Sequence, residues 1–256
     1  MAGENDTTGA PQETTPSKIT FTVKSEGLSV NLGDTNNEYA LTRTAYFGDT
    51  NEALLSPCLV IGDNGSGKSL FCKVLAGAQP YDGVVQLKCK ENAGRARLIF
   101  QDAIAQTMAR GRELLLHEPC CSIEHSAEKT FHELMNSLSA RLATPRGQGA
   151  PTGNAPIPLK EMSLLMAKLN LIAYRISRCP PLIILDEPDW GIPRDIAIAL
   201  VRSTIDIAHA RDIPIVLVSH KPWWTTICNS ILRIRRAHKS NVNSSASFEI
   251  AMAREK

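Results

Sequence analysis

The sequence has no uninterrupted apolar run of about 18 residues, no Cys-x-x-Cys pair, no internal repeat and no strong excess of either charge. The first absence excludes a membrane-spanning helix, so any work at a membrane has to pass through a partner. The N-terminal stretch MAGENDTTGAPQETTPSK also lacks the apolar core of a signal peptide, and the expected location is the cytoplasm. Cys58, Cys72, Cys89, Cys120, Cys121, Cys179 and Cys228 are seven in number, odd and irregularly spaced. Several stand inside apolar runs, where a free thiol acts as a small hydrophobe; neither a disulfide framework nor a zinc site is expected, and a reducing compartment fits best. Lys and Arg number 28 against 26 Asp and Glu, a formal charge of +2, so bulk charge gives no case for nucleic-acid binding. The basic cluster Arg233, Arg235, Arg236, His238 and Lys239 reads as a solvated chain end.

What is present is ordinary for a globular protein: 43% apolar and 21% charged residues in 256, enough for a substantial core. Residues 1–17 are rich in Thr, Pro and Gly and read as a disordered tail. From Ile19 the segments ITFTV and LSV alternate, with turn signals at Gly33-Asp34 and Gly48-Asp49, which predicts short antiparallel strands. Continuous apolar runs follow at LVI (59–61), LIIL (182–185) and IPIVLVS (213–219), separated by helical stretches; this is the pattern of a parallel sheet covered on both faces. Residues 104–142 and 159–178 read as mostly helical, with a Pro/Gly-rich surface loop over 144–158 between them. The last strands fall on ILRI (231–234) and FEIAMA (248–253), the segment 241–256 being read as a C-terminal tail or an edge strand.

Between the strand LVI and the helix LFCKVLAG lies Gly62-Asp63-Asn64-Gly65-Ser66-Gly67-Lys68-Ser69, a full match to G-x-x-x-x-G-K-[ST]. The glycines let the backbone curl so that successive N–H groups face one anion, and the helix that begins there, through Leu70, turns its positive end to the same place. In that arrangement Lys68 reaches the β- and γ-phosphates of a nucleotide and Ser69 ligates Mg²⁺.

Leu182-Ile183-Ile184-Leu185-Asp186-Glu187-Pro188 is an apolar strand that ends in two carboxylates. Beside a phosphate loop, Asp186 is placed to hold Mg²⁺ and Glu187 to take a proton from an attacking water. His220 closes the strand IVLVSH, from where an imidazole can contact a γ-phosphate. Gln101 closes the strand RLIF and is a candidate for Mg²⁺ or the attacking water.

GDNGSGKS, LAG with the turn and strand YDGVV, LIFQD, LDEP and VLVSH stand in the order found in the ATP-binding cassettes of ABC transporters and related ABC ATPases, which the chain resembles over about residues 28–236. The resemblance implies a RecA-like P-loop α/β core with an antiparallel β subdomain and an inserted helical subdomain, here about 104–178 within an ATP-binding domain of 18–240. It implies ATP and Mg²⁺ as ligands, ATP hydrolysis, and a head-to-tail dimer with a second cassette that sandwiches two ATP molecules. It also implies an adenine-stacking aromatic upstream of the phosphate loop, for which Tyr39 is the candidate and Tyr46 and Phe47 are competitors.

One family element is missing. Counting from Pro180 and Asp186, the place of the LSGGQ signature is taken by Met162-Ser163-Leu164-Leu165-Met166, with leucines for both glycines. Asp189-Trp190-Gly191-Ile192-Pro193-Arg194-Asp195 also departs from the usual sequence after LDEP. Both elements face the partner in family dimers. Two explanations are open: a heterodimer whose other cassette supplies a normal signature, or a divergent helical subdomain with substitute residues. The expected role is the ATPase subunit of a membrane transporter, held on the cytoplasmic face by a transmembrane permease and slow on its own. A soluble ABC-type ATPase, or an ATP-dependent switch with little turnover, is the alternative.

Overall fold

Residues 19–32, 44–90, 92–106, 121–143, 164–237 and 246–252 are described by a computed structural model of the chain. Among these residues eleven strands form one continuous sheet, which the strand order divides into two regions. Its first region is antiparallel. Strand β1 (Thr20–Asn31) pairs with β2 (Thr44–Phe47), β3 (Thr50–Leu55) and β5 (Asp82–Cys89), and β5 carries the two-residue β6 (Asn92–Ala93). Over Thr20–Ser25 of β1 every second residue is buried, because one face is wet, and the alternation is interrupted at Glu26 and Gly27, both exposed. The sequence suggested separate short strands here; a register shift between Glu26 and Ser29 lets one strand bend past the irregularity instead.

The second region is parallel and neighbouring strands run β10 (Ser230–Arg236), β4 (Cys58–Ile61), β9 (Ile215–Val218), β8 (Ile183–Asp186) and β7 (Arg97–Ile99). Of these, β4, β8 and β9 are buried on both sides. In β4, β8 and β9 alternate residues enter two different cores: Cys58, Val60, Ile184, Val216 and Val218 face helix α1 (Lys68–Leu75) and the antiparallel strands, whereas Leu59, Ile183, Leu185, Ile215 and Leu217 face the remaining helices. That two-sided burial is why these strands read as unbroken apolar runs. Further helices among the described residues include α2 (Cys121–Ala143), α3 (Leu164–Ser177) and α4 (Arg194–His209), with a 3₁₀ turn over Pro222–Thr226 that seats the fully buried Trp224. Helix α2 is fastened to α4 and the turn beyond it: Arg141 pairs with Asp206, Ser137 bonds Ser203, and Arg211 reaches Thr130 and Glu133, each at 2.7 Å.

Strand β11 (Ala246–Met252) corrects the reading of the C-terminal segment as a tail or edge strand. It lies between β10, antiparallel, and β2, parallel, and so joins the two regions of the sheet. Phe248 is the reason: it is buried and stacks on Phe47 of β2 at 5.0 Å between ring centroids. Arg233, Arg235 and Arg236 likewise belong to a strand paired on both sides rather than to a loose end, although Arg235 and Arg236 remain exposed. The tail 1–17, the loop 144–158 and the part of the expected helical segment at 107–120 lie outside the described residues.

At the strand ends opposite the loop, where β4 and β9 begin, Ser56 accepts a hydrogen bond from the Ile215 amide and meets His209 Nε2 at 2.8 Å. Burial holds the His209 ring below the usual histidine pKa, against a smaller opposing effect of Asp206. The folded chain therefore favours the neutral ring, and the unfolded chain binds more protons between the two pKa values. Stability from this group is complete above about pH 6.5 and is lost as pH falls through the folded pKa. Denaturant titrations at pH 7.5 and 5.5 are expected to show a smaller pH difference for His209→Gln than for the unaltered chain.

Candidate functional site

Gly62 follows β4 directly, and its loop closes onto α1. A Cβ at Gly62 would lie 2.1 Å from the Ile234 carbonyl oxygen of β10, so the close approach of loop to strand requires glycine. Gly67 has φ +87° and stands at the N-cap of α1, over the Phe47 and Phe248 rings. The stacked pair thus forms the floor on which the loop rests. Asp63, Asn64 and Gly65 are exposed, Ser66 is buried, and the Leu70 side chain packs on the apolar core below.

Lys68 folds back over the loop and donates to the Gly62 and Asp63 carbonyls at 2.7 and 2.9 Å. Burial lowers the pKa of its ammonium, opposed by Glu187, Asp186 and Asp63. The Ser69 hydroxyl donates to Asp186 at 3.3 Å, joining α1 to the end of β8. Burial raises the pKa of the Asp186 carboxyl, with the Ser69 hydrogen bond acting the other way. Ser66 Oγ is buried without a hydrogen-bond partner. A lysine whose charge is disfavoured, a carboxylate whose charge is disfavoured and an orphaned hydroxyl are the residues expected where an anion and a cation dock together.

Strand β9 lies between β4 and β8, and this order decides what surrounds the acidic pair. Ser219 and His220, at the end of β9, reach the two oxygens of Glu187: Ser219 Oγ donates to Oε2 at 3.0 Å, and His220 Nδ1 stands 2.9 Å from Oε1. An ionised carboxylate only accepts, so this pairing puts the proton of a neutral ring on Nδ1 and leaves Nε2 as the ring's other hydrogen-bonding atom. Glu187 itself has φ +45°, a left-handed conformation uncommon for a non-glycine residue and concentrated at functional sites. The phosphate-loop lysine, the Ser69–Asp186 contact and the Glu187–Ser219–His220 cluster therefore gather at the carboxyl ends of adjacent strands, where open α/β sheets bind their ligands.

A sequence model of the family described as ABC transporter matches residues 57–189, just over half of the chain. The chain belongs to the ABC transporter family. MJ1267, an ATP-binding cassette of an ABC transporter solved in its ADP conformation, is 15% identical over 93% of this chain and 92% of its own, with a TM-score of 0.52; the likeness is one of fold. CbiO1 from Clostridium perfringens, part of the ABC transporter complex CbiONQ, is 15% identical over 88% of this chain and 86% of its own, with a TM-score of 0.48. No curated protein matches the chain by sequence.

The P-loop α/β core expected from the resemblance is the fold of this family member. Gln101 lies exposed two residues beyond Ile99, whose register partner is Leu185, and no hydrogen bond joins it to the acidic cluster among the described residues. The end of its strand is set instead by the buried Gln106, which bonds the Leu98 carbonyl and the Phe100 amide, each at 2.9 Å. Tyr39 lies outside the described residues, as do Met162 and Ser163. Of the competing aromatics, Phe47 belongs to the core under the loop, whereas Tyr46 is 50% exposed.

Two residues of the site were missed by the sequence reading. Ser219 carried no signal beyond its place before His220. Lys168 did carry one: it stands in the apolar stretch LLMAKLNLIA of α3, four residues after Leu164 and four before Ile172, on a face where a lysine has no water.

Proposed function

We propose that this chain binds ATP with Mg²⁺ and hydrolyses it, as the ATPase subunit that energises a membrane transporter. The observation that carries the reading is the convergence of Lys68, the Ser69–Asp186 pair and the Glu187–Ser219–His220 cluster on neighbouring strand ends. The loop amides from Gly62 to Ser69 and the start of α1 at Leu70 receive the phosphates, and Lys68 exchanges its two loop carbonyls for phosphate oxygens. Ser69 and Asp186 would hold the metal, with Gln101 as a further candidate ligand from the end of β7, and Mg²⁺ would supply Lewis-acid neutralisation of the phosphate charge. Glu187 accepts the proton of the attacking water, Ser219 and His220 fix its carboxylate, and His220 presents its second ring nitrogen to the γ-phosphate side. Tyr39 stacks on adenine, with the exposed Tyr46 as the competing position.

The leucines at 164 and 165 favour a paired cassette. A signature glycine lets backbone approach a partner's γ-phosphate; here Leu164 and Leu165 instead pack on the helical core of their own chain. A second cassette with a normal signature would complete the nucleotide site of this one. No helix among the described residues is long and apolar enough to cross a membrane, so coupling to transport runs through a transmembrane permease.

The purified chain is expected to bind ATP·Mg²⁺ and turn it over slowly, and to co-purify with a hydrophobic partner from detergent-solubilised membranes. Vigorous Mg²⁺-dependent turnover by the isolated chain, lost in Glu187→Gln, would overturn the heterodimer. Binding without turnover, and no membrane partner, would favour an ATP-dependent switch.

A further inference from the structure

Lys168 is 2% exposed, one of the largest fully buried side chains among the described residues, yet none of those residues brings a carboxylate within hydrogen-bonding distance of its ammonium. Its Nζ donates to three main-chain carbonyls instead: Pro188 at 2.8 Å, Trp190 at 3.2 Å and Glu187 at 3.4 Å. An ammonium has three N–H donors, so the three carbonyls of one turn account for all of them. Burial pulls its pKa down to about 8, opposed by Asp189, Glu187 and Asp102 at longer range. Keeping a lysine here is costly, and an apolar residue of similar length would fill the same volume without that cost.

The turn it grips is the one after β8. Its first residue, Glu187, is held in a left-handed conformation that its own side chain does not favour. Besides Lys168, the turn is tied by the Glu187 amide to the Val218 carbonyl of β9 at 2.9 Å, by the Trp190 amide to the Glu187 carbonyl at 3.0 Å, and by the Asp189 carboxylate to Lys221 at 2.8 Å and Trp224 Nε1 at 3.4 Å. Lys168 is the group that grips the Pro188 and Trp190 carbonyls among the described residues. Helix α3 touches the far end of the same turn as well. Leu164, four residues before Lys168, fills the space over Gly191, where a Cβ would lie 2.4 Å from Leu164 Cδ2. The carbonyls of Glu187, Pro188 and Trp190 and the bare Cα of Gly191 thus rest on one face of one helix.

We propose that Lys168 is a positioning residue for the Glu187 carboxylate, fixing the turn 187–191 to helix α3 so that the carboxylate stays on Ser219 and His220. The inference rests on the reading of Glu187 as the general base. It also gives the leucine at 164 a purpose within its own chain: the helix that elsewhere would offer glycines across a dimer is here keyed to the turn beside the catalytic carboxylate.

Lys168→Met keeps the stem and removes the donors. Its kcat for ATP is expected to fall about 10- to 100-fold while KM stays within about twofold, since the phosphate loop is untouched and only the reacting geometry is displaced. A control on the same helix, Ile176→Val, loses stability but keeps kcat per folded molecule. Equal kcat in Lys168→Met and the unaltered chain, or a joint change of kcat and KM, would overturn the proposal. A second arm needs no turnover. Ser219→Ala is expected to lower the urea midpoint in the unaltered chain and to lower it clearly less in Lys168→Met, where the carboxylate has already moved and the Lys221 amide still donates to Ser219 Oγ at 3.3 Å. The same shift in both backgrounds refutes the positioning role. If the unaltered chain by itself binds ATP without hydrolysing it, as a site lacking its partner's signature would, the second arm alone decides what Lys168 does.

Discussion

Glu187→Gln is expected to turn ATP over about 10²- to 10⁴-fold more slowly than the unaltered chain while keeping its nucleotide affinity. The substitution is nearly isosteric. The amide oxygen can still accept from His220 Nδ1, and the amide NH2 can donate to the Ser219 hydroxyl oxygen, so both groups that hold the native carboxylate, at 2.9 and 3.0 Å, keep a partner. Ser69 and Asp186 are untouched, and so is Lys68 on its loop carbonyls. What disappears is the capacity to take a proton. Steady-state phosphate release and binding of a fluorescent ATP analogue separate the two quantities. Residual turnover within about tenfold of the unaltered chain would remove Glu187 from the role of general base.

Gly62→Ala is expected to be the most damaging single change in the phosphate loop, even though it adds one methyl group. The new Cβ would stand 2.1 Å from the Ile234 carbonyl oxygen and 2.5 Å from Ser66 Oγ. Ser66 is a side chain and can turn away. The Ile234 carbonyl belongs to the backbone of β10, a strand bonded to β4 on one side and β11 on the other, and it has no such freedom. Either the sheet opens or the loop lifts. Overpacking of this kind costs about 1–3 kcal/mol, occasionally more. A lifted loop also no longer aims its amides at one point, so ATP binding is expected to weaken more than about tenfold. Thermal unfolding and nucleotide titration check the two effects; a chain with unchanged melting temperature and affinity would show that the close contact relaxes at little cost.

Much of the fold was legible because two-sided burial leaves an unmistakable record. LVI, LIIL and IVLV are apolar throughout, and helix α4 was readable between two of them. The elements misread were those whose place depends on a distant partner. FEIAM has the alternation of a half-covered strand, and nothing local shows whether such a strand ends a sheet or joins two parts of it. Phe248 stacking on Phe47 settles that, across a sequence distance that no periodicity spans. The arginines of β10 were read as a solvated end for the same reason: charge density is a local property, whereas strand pairing is not.

The candidate site was legible to an unequal degree. Gly62 to Ser69 and the pair Asp186-Glu187 announce themselves because their chemistry is packed into contiguous residues. Lys168 did not, although a lysine on the apolar face of a helix is an anomaly that can be searched for. Its partners are carbonyls, and a carbonyl has no letter in the sequence.

By itself, the sequence determined that a phosphate loop stands between a buried strand and a helix, that two carboxylates end another buried strand, and that the family signature is replaced by leucines. These are statements about neighbours along the chain, where spacing and residue type are sufficient. Only the tertiary structure decided that β9 lies between β4 and β8, and hence that Ser219 and His220 hold the two oxygens of Glu187. It also decided that Lys168 closes on the turn below them. Strand order and the convergence of main-chain groups depend on contacts between residues far apart in sequence, and those exist only once the sheet has closed around its two cores.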